Sequence, residues 1–151
     1  MSEKTMKALV LEEAFKVNLK DVPLPEVPNG YARVKMLAIS ICGSDIHAYK
    51  GNSLLLTYPR VLGHELCGVI DDIRFVNDSK GTNPDASIKA IEAMKNNIIL
   101  IAGGYDKNSS FDEFVNAFDG RVKALLLMGK TATKIKEAAE KAGFTDSIIL
   151  K

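Results

Sequence analysis

Tryptophan is absent from the 151 residues, cysteine and histidine number two each, and aromatic residues make up only 7%. So few thiols exclude the disulfide framework that staples small secreted domains, and they fit a reducing cytoplasm, the expected location. No apolar run approaches the ~20 residues that span a bilayer. The start, MSEKTMKALV, lacks the apolar core and cleavage site of a secretory signal. Charge of neither sign is in excess: 20 Lys+Arg against 19 Asp+Glu leave a net +1. Without a global field, neither nucleic acid nor an anionic membrane is an expected partner. What remains, 46% hydrophobic and 26% charged, is the composition of a globular chain long enough for one domain or two small ones.

The scarce residues are unevenly spread. Both cysteines, both histidines and four of the five prolines fall within residues 1–70, whereas 71–151 hold twelve basic and twelve acidic residues and no Cys or His. The first part reads as β: Lys7–Glu13 (KALVLEE) and Tyr31–Ile41 (YARVKMLAISI) suit strands, and VPLPEVPNG between them breaks regular structure. A short turn of helix is expected after Gly43.

The second part alternates strand and helix. Ile73–Asn77 (IRFVN) is a short apolar run, followed by Asn83-Pro84, an N-cap with proline at the first helical position. Ile88, Ile91 and Met94 share one helical face. Ile98–Ala102 reads as a strand buried on both faces. Ser110 and Glu113 have capping-box spacing, and Phe111, Phe114, Val115 and Phe118 follow helical periodicity. Val122–Met128 is a further strand. Thr131 is expected to cap a helix carrying Ile135, Ala138, Ala139 and Ala142, closed by Gly143, and Ser147–Leu150 begins a last strand. The expected fold class is mixed α/β, the second part being a Rossmann-like βαβαβαβ parallel sheet with right-handed crossovers.

Cys42, His47, His64, Glu65 and Cys67 lie between residues 42 and 67. Thiolate, imidazole and carboxylate are zinc's ligand types, and loops at strand ends can converge on one ion. A buried thiol with surface histidines accounts for the same residues equally well. The phrases ICGSDIHAYKG and YPRVLGHELCGVI, with MKALVLEE and LKDVPLPEVPNGYARVKMLA, resemble the N-terminal GroES-like catalytic domain of zinc-dependent medium-chain alcohol and polyol dehydrogenases over residues 6–70. The resemblance implies Cys42 and His64 as zinc ligands, Glu65 as a ligand or close neighbour, and Ser44 and His47 as a proton relay. Cys67 has no role in the motif and is expected as a buried small residue.

In a parallel sheet, ligands gather at the carboxyl ends of strands. Loops 77–83 and 103–107 bring Lys80, Lys107 and paired glycines to that edge, although solvated lysines are the plainer reading. FVNDSKGTNPDASIKAIEA, ILIAGGYDKNSSFDEF and VKALLLMGKTATKI resemble the C-terminal domain of the D-glutamate-adding Mur ligases over residues 71–151. Those cytoplasmic enzymes add D-glutamate to a peptidoglycan precursor with ATP and magnesium. The resemblance implies Lys80, Thr82 and Lys107 on the D-glutamate side and Asp78 on the nucleotide side. Ammonium groups and a hydroxyl suit a dicarboxylate. Gly129-Lys130-Thr131 looks like the end of a phosphate-binding loop but lacks the earlier glycine, Ala124 standing there instead.

The expectation is therefore a composite: residues 1–70 a truncated GroES-like β segment, residues 71–151 part of a Mur ligase C-terminal domain. No G-x-G-x-x-G occurs, and 151 residues hold neither a whole two-domain dehydrogenase nor a three-domain ligase. NAD(P) and ATP with magnesium are not expected to be bound, whereas zinc is a candidate. Alternatives are residual alcohol dehydrogenase chemistry and a ligand-binding role derived from D-glutamate addition. Unpaired strand edges predict self-association, or a sheet merged with that of the second part.

Overall fold

A tight turn at Ala14-Phe15, with Phe15 at φ 63°, folds strand β1 (Thr5–Glu13) back onto β2 (Lys16–Pro23) in the antiparallel register Leu9↔Leu19. β2 was not anticipated from the sequence: KVNLKDVP has too few apolar residues to announce itself and is exposed along nearly its whole length. The computed structural model describes residues 4–54, 56–78 and 81–150. These fall into two compact units, Met1–Ser79 and Lys80–Lys151.

In the first unit, β1 also pairs with the short β4 (Arg60–Val61) through Val10↔Val61. A second antiparallel sheet runs in the order β3 (Lys35–Ser40), β5 (Glu65–Ile70), β6 (Ile73–Asn77). Helix α1 (Gly43–Tyr49) follows β3, where a turn of helix was expected. The Phe15 amide donates to the Tyr49 carbonyl at 2.8 Å, and their rings meet edge-on at 5.4 Å, tying the β1–β2 turn to the end of α1.

The expected first strand of the parallel sheet, Ile73–Asn77, is instead β6. Asp71 and Asp72 adopt φ values of 46° and 65°, left-handed at both central positions of a two-residue turn, which is the geometry that matches strand twist in a hairpin. Asp tolerates that region better than most residues. The strand therefore returns along β5, with Ile70↔Ile73 and Cys67↔Val76 as partners.

The second unit is a three-stranded parallel sheet, β7 (Ile98–Gly104), β8 (Val122–Gly129) and β9 (Ser147–Ile149), adjacent in chain order. Helices α2 (Pro84–Glu92), α3 (Asp112–Asn116) and α4 (Ala132–Lys141) contribute to a core of Ile91, Phe114, Val115, Leu125, Leu127 and Ile135. The Asn83 side chain accepts the Ala86 amide at 2.8 Å, the cap expected before Pro84. Gly143, at φ 83°, closes α4: its own amide reaches Glu140 O at 3.0 Å, and that of Phe144 reaches Ala139 O at 2.8 Å. This is the two-bond Schellman ending.

Two expected caps differ. Ser110 and Glu113 form no reciprocal box; the Ser110 hydroxyl instead donates to the Asp112 carboxylate at 2.7 Å and accepts its amide at 3.3 Å. Thr131 is helical in its own dihedrals and makes no side-chain cap. Its amide and hydroxyl both donate to Gly104 O, at 3.2 and 3.4 Å, fastening the start of α4 to the end of β7.

Candidate metal centre and the parallel-sheet edge

The β3–β5 ladder ends at the pair Ser40↔Glu65, so residues just beyond Ser40 and just before Glu65 are brought together. Cys42 is two residues beyond the first and His64 one residue before the second. The chain reaches His64 through Gly63, at φ 100°, where a Cβ would lie 2.4 Å from Ile39 Cγ2. Only glycine allows that approach.

The donor atoms of Cys42, His64 and Glu65 all lie within 4.8 Å of one another. Cys42 Sγ is 3.0 Å from His64 Nε2 and 2.7 Å from Ser44 Oγ, and Ser44 Oγ is 3.4 Å from the same nitrogen. Cys42 is buried and His64 is exposed. The Ser40 hydroxyl donates to Glu65 Oε2 at 2.8 Å, while Glu65 Oε1 is buried with no hydrogen-bond partner. An orphaned carboxylate oxygen beside a thiol and an imidazole is costly unless something binds it. The donor set and that orphan fit a zinc ion, whose ligand bonds are about 2.0–2.3 Å.

Two supporting residues were not singled out from the sequence. Asp45, buried, accepts the Cys42 amide on Oδ2 at 2.9 Å and sets Oδ1 3.7 Å from His64 Nδ1. Its place three residues after the N-cap Cys42, the spacing of a reciprocal cap, was the available signal. Asn77, in β6, donates to the His64 carbonyl at 3.1 Å. His47 is exposed on α1 and outside the three-residue cluster, as is the half-buried Cys67. Both cysteines are free thiols.

At the carboxyl edge of the parallel sheet, Gly103 and Gly104 of β7 pair with Met128 and Gly129 of β8. The backbones are so close there that a Cβ on Gly103 would sit 1.8 Å from Met128 O. From this edge Lys107 extends its ammonium to the Thr82 main-chain carbonyl at 3.2 Å, joining two of the expected ligand-side residues. Lys134 reaches Asp106 at 3.4 Å, and Lys130 lies 5.5 Å from the centre of the Tyr105 ring. Asp78 belongs to the first unit and Thr82 and Lys107 to the second; Lys80 lies outside the described residues.

An antiparallel unit with a Cys/His/Glu cluster, followed by a parallel α/β unit with lysines at its strand ends, describes a composite of two domain types. Known families agree. The Mur ligase, glutamate ligase domain matches residues 64–150, and the alcohol dehydrogenase GroES-like domain matches residues 28–85. The chain belongs to the Mur ligase, glutamate ligase domain family. The two matches share residues 64–85.

The UDP-N-acetylmuramoylalanine–D-glutamate ligase of Thermoanaerobacter sp. (strain X514) is 59% identical over 86 residues, covering 57% of this chain and 19% of the relative. That of Alkaliphilus oremlandii (strain OhILAs) is 60% identical over 82 residues, 54% of this chain and 18% of the relative. That of Clostridioides difficile (strain 630) is 42% identical over 137 residues, 89% and 30% respectively. The chain thus spans less than a third of the length of these relatives. A solved short chain alcohol dehydrogenase from E. coli CFT073, complexed with NADH, aligns over 96% of this chain and 62% of its own, with a TM-score of 0.43 and 17% identity. Among the described residues no helix is long and apolar enough to cross a membrane.

Proposed function

We propose that the first unit is a zinc-binding element, held by Cys42, His64 and Glu65. The observation that carries this reading is the convergence of three ligand types within 4.8 Å, with Glu65 Oε1 buried and unpartnered. Zinc, when bound, supplies a Lewis acid for an alcohol or water oxygen. Asp45 fixes the Cys42 backbone through its amide and keeps a carboxylate oxygen 3.7 Å from His64 Nδ1, on the side of the ring away from the cluster. Ser44 carries the hydroxyl nearest the cluster. Three residues on, His47 shares its helical face and is open to water, an order suited to moving a proton outward. Two free thiols suit a cytoplasmic setting. The change of parentage at Ile70/Asp71, inside the region both families match, belongs to this proposal.

Metal analysis after purification without chelator should find one zinc per chain, and cobalt substitution should give a thiolate charge-transfer band. Cys42→Ala should abolish both, and Glu65→Gln should weaken binding at least about tenfold. A wild-type chain that neither retains zinc nor takes up cobalt sinks the reading.

A second reading is favoured by the Lys107–Thr82 contact together with the 59% identity to a D-glutamate ligase. We propose that Lys80, Thr82 and Lys107 bind a dicarboxylate, D-glutamate by kinship, with Asp78 toward a nucleotide. Calorimetric titration with D-glutamate should give a signal that the Lys80→Ala/Lys107→Ala variant loses; equal behaviour of the two would refute it. Both readings are of binding rather than turnover. Alcohol-dependent NAD(P) reduction or D-glutamate-dependent ATP hydrolysis by these 151 residues would overturn them in that respect.

A further inference from the structure

A zinc ion held by protein alone takes four donors in a tetrahedron, and a site with three leaves the last position to an outside oxygen. Among the described residues the cluster supplies three donors of the usual kinds, Cys42, His64 and Glu65, with His47 and Cys67 outside it. Asp45 does not complete the set. Its Oδ2 takes the Cys42 amide at 2.9 Å, and its Oδ1 lies 3.7 Å from His64 Nδ1, whereas it is Nε2 that faces the thiol.

One further oxygen faces the donors. Ser44 Oγ is 2.7 Å from Cys42 Sγ and 3.4 Å from His64 Nε2, and Sγ and Nε2 are 3.0 Å apart, so the three atoms form a single triangle. Bonds of about 2.0–2.3 Å in a tetrahedron put neighbouring donors roughly 3.3–3.7 Å apart. The Ser44–His64 side already has that length, and the two sides at sulfur need to lengthen by no more than about 1 Å. A hydroxyl oxygen has two lone pairs, so it can offer one to an ion and still donate its hydrogen. Cys42 is buried and Ser44 exposed, which sets the hydroxyl on the solvent side of the thiol.

Resting on the zinc reading above, we infer that Ser44 Oγ is the fourth protein donor, so that the resting site is closed. The hydroxyl binds as a neutral oxygen and is the weakest of the four donors. An alcohol or water oxygen gains the position by displacing it. The displaced hydroxyl then stays beside the newcomer, where a proton path outward to His47 begins.

Cobalt in place of zinc makes the fourth position visible, with azide as the outside ligand. The wild-type chain and Ser44→Ala, each loaded with cobalt, are titrated with azide and followed through the visible cobalt bands. The wild type should need at least about tenfold more azide for the same spectral change, because a tethered hydroxyl competes at high effective concentration. Equal azide response in the two overturns the inference and leaves the zinc reading standing. A wild-type chain that takes up no cobalt sinks the zinc reading and this inference with it. Should Ser44→Ala hold no cobalt, Ser44→Cys, kept reduced, decides. A thiolate charge-transfer band about twice as intense as that of the wild type supports a donor at position 44, and an unchanged band refutes it.

Discussion

Gly103 occupies a place no other residue can fill without moving a strand. Its φ of 136° and the 1.8 Å that would separate its Cβ from Met128 O set it apart from Gly104, whose Cβ would meet open space despite φ 123°. Gly103→Ala should therefore cost about 2–4 kcal/mol of stability, and Gly104→Ala, burdened by its dihedral alone, about 1–2 kcal/mol. Urea unfolding of the two variants checks the order. At Asp112, the Ser110 hydroxyl and then Lys141 hold the carboxyl below its ordinary 3.8. A depressed carboxylate stabilises the fold above its unfolded value, and this contribution fades as pH falls through the folded one. Asp112→Asn should accordingly lower stability slightly at neutral pH, with the gap to the wild type closing as pH falls below about 4, as urea unfolding across pH would show.

Among the elements, those announced by strong periodicity or chemistry were legible. β7 and β8 stood out as apolar runs, and α2 and α4 through Pro84 and the Gly143 ending. β2 was not, because a strand open to water needs no apolar alternation. β6 was recognised as a strand but not in its pairing: five residues of strand-forming type do not say which edge they join, and the Asp71-Asp72 turn lacks the glycine that makes hairpins recognisable. The parallel sheet should show its asymmetry in mutation. Leu125→Ala, with the wild-type side chain wholly buried, should cost about 2–5 kcal/mol, and Ile99→Ala, mostly exposed, under about 0.5 kcal/mol. Thermal unfolding of the pair would expose any hidden cover over Ile99 as an unexpectedly large loss.

For the molecule as a whole, two compact units imply more than one unfolding transition. Tyr31, Tyr49 and Tyr58 report on the first unit and Tyr105 on the second, there being no tryptophan. Zinc at a hundred times its dissociation constant should stabilise the first unit by about 2.7 kcal/mol and leave the transition of the second in place; hydrogen exchange with and without chelator would resolve the two. Edge strands β2, β3, β4 and β6 in the first unit, and β7 and β9 in the second, are the edges through which the expected self-association would run. Light scattering that stays monomeric across a wide concentration range would remove that expectation.

Sequence by itself determined the mixed α/β class, through residue types and local spacing, and, through resemblance to two families, the composite and the candidate ligands. Cys42, His64 and Glu65 could be named before their separation was known. Tertiary structure alone decided that their donor atoms converge, that Asp45 holds the Cys42 amide, and that Lys107 turns to the Thr82 carbonyl. It also decided that Ile73–Asn77 runs back along β5. Such facts depend on strand register and on which edge a strand joins, and main-chain hydrogen bonds are available at any edge to any segment of suitable length.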